Sequence, residues 1–158
     1  MPELQNKDNA KLLSPNLFPV VGVGASAGGL EAFKRLVKAI PEHSGMAYIL
    51  VQHLEPTHES ALTDILQKYT NIPIQEITNN VQVSPNNIYT IPSNKLLTAT
   101  DGVLQLSPRP AKKVKNMPID VFFASLAEVH QSHAIGVRLS GTATDGTMGL
   151  KTIKDHGG

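Results

Sequence analysis

The sequence predicts an α/β fold: a doubly wound, mostly parallel sheet with helices on both faces and a small antiparallel hairpin insertion. Three observations predict it. Short β-branched apolar runs alternate with helical-period segments at both ends of the chain, the pattern of parallel crossovers. The middle instead alternates with period two and is broken by Asn-Asn, Pro-Ser-Asn and Asp-Gly turn signals. Glycine-bounded loops directly follow two of the apolar runs, where open α/β sheets place their binding edge. With 158 residues, 41% hydrophobic and 17% charged, the chain suits one domain with a core of its own.

Taken in order, residues 1–17 are polar and aperiodic and read as a linker or disordered lead-in. The domain proper is expected over 18–158. "PVVGVG" (19–24) reads as a buried strand ending in glycine. In "GGLEAFKRLVKAI", Leu30, Phe33, Leu36, Val37 and Ile40 recur at helical spacing until Pro41. "MAYILVQ" (46–52) is a second buried strand. The helix in "THESALTDILQKY" starts at a capping Thr57 and carries Ala61, Leu62, Ile65 and Leu66 on one face. "IPIQEIT", "NNIYTIP" and "KLLTATDGVLQLSP" are the short alternating runs, the last a hairpin about Asp101–Gly102; together they read as an antiparallel excursion. "PIDVFFASLAEVHQS" (118–132) returns to helix with Pro118 in its first turn. "AIGVRLS" (134–140) is a strand. "TMGLKTIKDHGG" is a helix closed by a Gly157–Gly158 C-cap. A doubly wound sheet normally adds another strand next, so the chain is expected to be a fragment of a longer protein.

Composition excludes several function classes. There are no cysteines, so disulfides and thiolate metal sites are unavailable, as suits the cytoplasm. No apolar run approaches the roughly 20 residues of a membrane span, and the N-terminus is no secretory signal. Net charge is +1 with scattered lysines. The densest basic cluster, Arg109, Lys112, Lys113 and Lys115, lacks an interleaved aromatic platform and reads as a solvated loop rather than a nucleic-acid footprint.

The loop in "VGVGASAGGL" (21–30) decides the function class. A dinucleotide site needs G-x-G-x-x-G and an acidic residue about 20 positions on, at the end of the next strand. Here the glycines fall at 22, 24, 28 and 29, and the second strand ends in Gln52-His53. A P-loop is excluded because no Gly-Lys-Ser/Thr follows. Gly24-Ala25-Ser26-Ala27-Gly28 does fit G-x-S-x-G at a strand-to-helix turn, which lifts a serine Oγ clear of the sheet. A serine there also serves as an ordinary helix N-cap. Position separates the two readings. Ser26, His53 and Asp145 each follow a strand, and the carboxyl ends of strands converge. Serine needs a base, for which imidazole suits, and the imidazole needs a carboxylate to fix its tautomer. The other acids and histidines have plainer roles. Asp120 reads as a helix-dipole partner, Asp101 as the hairpin turn, and His130 and His133 as cations at a helix end. His43, His58 and His156 read as surface groups, and Glu55 as a turn or cleft residue.

The blocks "VVGVGASAGGLEAFKRLV", "ILVQHLEPTHESALTDIL", "NNIYTIPSNKLLTATDGVLQL", "PIDVFFASLAE" and "IGVRLSGTATDGTMGLKTIKDHGG" resemble, in order, the catalytic domain of the CheB methylesterase family, in the version fused to CheR-type methyltransferase domains. The resemblance runs from about residue 18 to the end. It implies hydrolysis of glutamyl γ-methyl esters, and deamidation of glutamines, on the cytoplasmic helices of chemoreceptors during chemotaxis adaptation. It implies neither metal nor other cofactor, a cytoplasmic location, and a fused or associated methyltransferase or sensor domain as partner. The family's serine, histidine and aspartate fall on Ser26, His53 and Asp145. Ala27, Gly28, Gln52 and Thr142 are the oxyanion and cleft candidates. Three departures stand out: no receiver domain precedes the first strand, Ala143 replaces a loop glycine, and the family domain continues past the equivalent of Gly158. Two other classes remain to be separated from this one: a docking module without turnover, tested by a serine-directed reagent, and a nucleotide-binding domain, tested by thermal shift with NAD, NADP or ATP.

Overall fold

A computed structural model describes residues 18–26, 29–52, 62–92, 95–100, 103–108, 117–139 and 144–158. The lead-in 1–17, the Thr57 cap, the Asp101–Gly102 turn and the basic loop from Arg109 to Lys115 lie outside these residues. The elements run β1 (Val20–Ala25), α1 (Gly29–Ala39), β2 (Ala47–Gln52), α2 (Leu62–Gln67), β3 (Ile74–Glu76), β4 (Val81–Gln82), β5 (Asn87–Thr90), β6 (Lys95–Thr100), β7 (Val103–Pro108), α3 (Pro118–His130), a 3-10 turn (Gln131–His133), β8 (Ala134–Arg138) and α4 (Thr147–Asp155).

The main sheet has the order β3-β5-β2-β1-β8, with all four pairings parallel. β1 lies inside it and is buried at every position, because both of its faces are covered. Val21, Val23 and Ala25 pack with Phe33 and Val37 of α1 and with Leu62 and Leu66 of α2. On the other face Val20 joins Ile119, Phe122 and Phe123 of α3 and Ile153 of α4. Gly22 and Gly24 alternate onto that second face. A methyl group on Gly22 would stand 2.9 Å from Phe123 Cε1, and one on Gly24 2.6 Å from Ile119 Cγ2. The helix therefore rests on the strand backbone, closer than any side chain allows.

The small sheet, order β4-β7-β6, is antiparallel, with Thr100 opposite Val103 at the hairpin end. It also packs against α3: Leu97, Ala99 and Leu104 share the α3 core, and Ala99 N–H donates to Ser125 Oγ at 2.9 Å. Contact with both sheets and with α4 accounts for the wide buried stripe of α3, Ile119, Phe122, Phe123, Leu126 and Ala127, while Val121, Ala124 and Glu128 stay exposed.

One part of the expected excursion belongs elsewhere. β3 and β5 join the main sheet in parallel, Ile74 opposite Ile88 and Ile88 opposite Tyr48. Ile88 faces the α1 core and Tyr89 the α3 core, so their alternation is between two buried faces rather than core and solvent. His130, read from the sequence as a helix-end residue, is buried in the last turn of α3. The C-terminal cap is as expected. Gly157 sits at φ +98°, Gly158 N–H donates to Ile153 O at 2.9 Å and Gly157 N–H to Lys154 O at 3.1 Å, the paired bonds of a Schellman motif.

Candidate active site

Strand order changes direction at β1, since β2, β5 and β3 lie on one side of it and β8 on the other. In open α/β sheets the crevice at such a point, beyond the carboxyl ends, is where ligands bind. Ser26 follows β1 directly, is 6% exposed, and its carbonyl accepts the N–H of Gly29 at 2.9 Å as α1 begins. Gln52, half-buried, ends β2 opposite Ala25. On the other side Arg138 lies opposite Gly24, and Leu139 N–H donates to Gly24 O at 2.9 Å, carrying the ladder to the strand end.

Asp145 lies in the turn leading into α4, 1% exposed. Its carboxylate sits on the N-terminus of α3: Oδ2 accepts Ile119 N–H at 2.9 Å and Oδ1 accepts Asp120 N–H at 2.8 Å. Helix N-termini leave several N–H groups without intrahelical partners, and their positive dipole end favours an anion. Met117 at the N-cap position makes no side-chain cap, so the cap comes from across the fold. The same Ile119 links this carboxylate to β1. Its N–H binds Asp145, while its side chain occupies the space that Gly24 leaves open.

The capping is mutual. Asp120 Oδ1 accepts Gly146 N–H at 2.9 Å and Gly149 N–H at 2.7 Å, at the start of α4. Arg138 Nε donates to the Asp145 carbonyl at 3.0 Å, tying the turn to β8. Gly146 turns the chain at φ +101°, a left-handed conformation that side chains with a Cβ disfavour.

Among the residues singled out by sequence, Ser26, Asp145 and Gln52 therefore lie at one edge of the sheet. His53, Ala27, Gly28 and Thr142 lie outside the described residues, as do Glu55 and His58. Two residues that build this edge went unseen in the sequence. Arg138 looks like an ordinary strand residue, and Asp120 like a first-turn acid. Only the contact between α3 and α4 shows that its carboxylate faces a second helix.

A family model for CheB methylesterase matches residues 21–158. The chain belongs to the CheB methylesterase family. Ester hydrolysis is the reaction class of this CheB domain. A Burkholderia lata protein named protein-glutamate methylesterase/protein-glutamine glutaminase 2 is 35% identical over 146 residues, 87% of this chain and 41% of its own length. A Leptospira interrogans relative, to which the same two activities are provisionally assigned, is 32% identical over 142 residues, 89% of this chain and 74% of its own. The crystal structure of the Thermotoga maritima CheB methylesterase catalytic domain superposes with a TM-score of 0.77 at 25% identity, over 89% of this chain and 77% of that one. The CheB domain thus spans well under half of the Burkholderia protein. Among the described residues, no helix is long and apolar enough to cross a membrane.

Proposed function

We propose that Ser26 is the nucleophile, His53 its general base and Asp145 the carboxylate that orients the imidazole, in hydrolysis of glutamyl γ-methyl esters on the cytoplasmic helices of chemoreceptors. The observation that carries this reading is the placement of Ser26 and Asp145 after adjacent strands, β1 and β8, with Ile119 linking the Asp145 carboxylate to β1 at Gly24. β2, whose last residue precedes His53 in sequence, flanks β1 on the other side. The names of the relatives support the substrate class, ester and glutamine side chains of proteins.

The chemistry divides into two halves. Ser26 Oγ attacks the ester carbonyl as His53 takes its proton, and the oxyanion is met by N–H donors, of which Ala27 is the first candidate. Collapse breaks the bond to methoxide, which leaves as methanol with the proton from His53. Water, deprotonated by His53, then attacks the glutamyl-serine ester and releases glutamate and Ser26. The same sequence on a glutamine side chain expels ammonia and also leaves glutamate. Gln52, Gly28 and Thr142 are the further oxyanion and cleft candidates. The methylesterase domain that includes 18–158 works in the cytoplasm, alongside a fused or associated methyltransferase or sensor domain.

A fluorophosphonate reagent followed by peptide mass mapping tests the nucleophile. The adduct is expected on Ser26 and absent from Ser26→Ala, whose methanol release from methylated receptor falls by about 10⁴-fold or more. Labelling elsewhere, or an undiminished Ser26→Ala, overturns the assignment. A nucleotide-dependent rise in Tm without labelling would replace it with a binding domain.

A further inference from the structure

We infer that Asp120 is a positioning residue for ester hydrolysis, acting through Asp145. The inference rests on the Ser26–His53–Asp145 reading and adds to it the device that holds the carboxylate. The geometry is reciprocal. Asp145 from the α4 turn takes the Ile119 and Asp120 N–H groups at the start of α3, at 2.9 and 2.8 Å. Asp120 from α3 takes the Gly146 and Gly149 N–H groups at the start of α4, at 2.9 and 2.7 Å. Each helix N-terminus is capped by the carboxylate of the other.

Two consequences follow for Asp145. Its two oxygens take separate backbone donors, so the plane of its carboxylate is fixed by α3. An ionised carboxylate has about four lone-pair sites, so these two bonds orient the group without exhausting it. Its backbone is fixed independently, because Asp120 holds the next N–H, that of Gly146, and Arg138 holds its carbonyl at 3.0 Å. Without the Asp120 carboxylate, the turn keeps the Arg138 bond and the bonds of Asp145 to α3, and loses the part-buried tie from α3 to the Gly146 and Gly149 N–H groups. Gly149 reinforces the argument. A methyl group there would stand 2.6 Å from Phe123 Cβ and 3.2 Å from Asp120 Oδ1, so the helices meet where Asp120 bonds. An orienting carboxylate displaced by about an ångström is expected to reduce turnover by up to 10²-fold while leaving binding intact.

A kinetic double-mutant cycle tests this. Asp145→Asn alone is expected to lower kcat by about 10³- to 10⁴-fold. Asp120→Ala is expected to lower kcat by about 10- to 100-fold with KM changed less than about twofold. Asp120→Asn keeps an oxygen able to accept both N–H groups, and is expected to stay within about threefold of the parent kcat. In the Asp145→Asn background, Asp120→Ala is expected to cost no further kcat, because residues that act as a unit are non-additive. Should Asp120→Ala fail to fold, Asp120→Glu, which keeps the acceptor on an arm one methylene longer, is expected to lower kcat at least about fivefold at unchanged KM. Additive losses in the double variant, a KM effect as large as the kcat effect, or full activity in Asp120→Ala overturns the inference. An unimpaired Asp145→Asn instead overturns the reading on which it rests.

Discussion

On the α1 side of β1, Val21, Val23 and Ala25 fill the space to Phe33 and Val37 with their own side chains; on the α3 side, Gly22 and Gly24 leave that space to Ile119, Phe122 and Phe123. Side chains between helix and strand can re-pack when one is trimmed. A helix lying on backbone has no such slack. The helix set down without slack is α3, whose first N–H groups hold Asp145. The G-x-G of this loop thus serves the site through helix placement. Gly24 belongs to the strand, paired with Val51 and Arg138, rather than to the turn after it.

If that contrast is right, the two faces respond differently to substitution. The largest effect is expected from Phe123→Ala. This fully buried ring lies against Gly22, Gly136 and Gly149, and its loss costs about 3–5 kcal/mol in a denaturant titration. Next comes Gly24→Ala. The added methyl collides with Ile119, costing about 1–3 kcal/mol, and because Ile119 must move, kcat also falls by about tenfold. Val23→Ala on the opposite face opens a cavity at a similar stability cost of about 1–3 kcal/mol, yet leaves kcat of the folded enzyme unchanged. Equal kcat losses in these two variants would break the comparison.

The smallest effect belongs to the outer surface of α1. The Glu31 carboxylate lies 3.0 Å from Lys34 Nζ, and that hydrogen bond raises the lysine pKa above its ordinary value. A raised pKa means that any stabilisation is present at neutral pH and fades only as pH climbs through the folded value. The pair is solvent-exposed, where ion pairs contribute little. Glu31→Gln is expected to leave Tm and activity at pH 7 unchanged. A clear loss of Tm would show that the α1 side depends on surface charge as well as on its core.

Much of the architecture was legible because hydrophobic period is a local signal. β1, α1, β2, α3, β8 and α4 fall where their patterns place them. β3 and β5 did not, since runs this short alternate alike whether they face solvent or a second core, and nothing local names their partner. Ser26 and Asp145 were legible as candidates because each follows a strand. Gly24 was read as one end of the sharp turn about Ser26, because a glycine that accommodates Ile119 and one that bends the chain look the same in one dimension. Asp120 was hidden for a related reason. A first-turn acid satisfies its own helix dipole in most proteins, and here that residue serves a helix beginning at Thr147.

The partner that completes the serine-bearing strand is made late. Among the described strands β1 comes first in the sequence and β8 last, yet residue 24 lies beside residue 138. Contacts so distant along a polypeptide form slowly, after local structure has already settled. A chain still emerging from the ribosome therefore carries Ser26 beside only one of the two strands that flank β1, and the second joins only after residues 134–138 have been made.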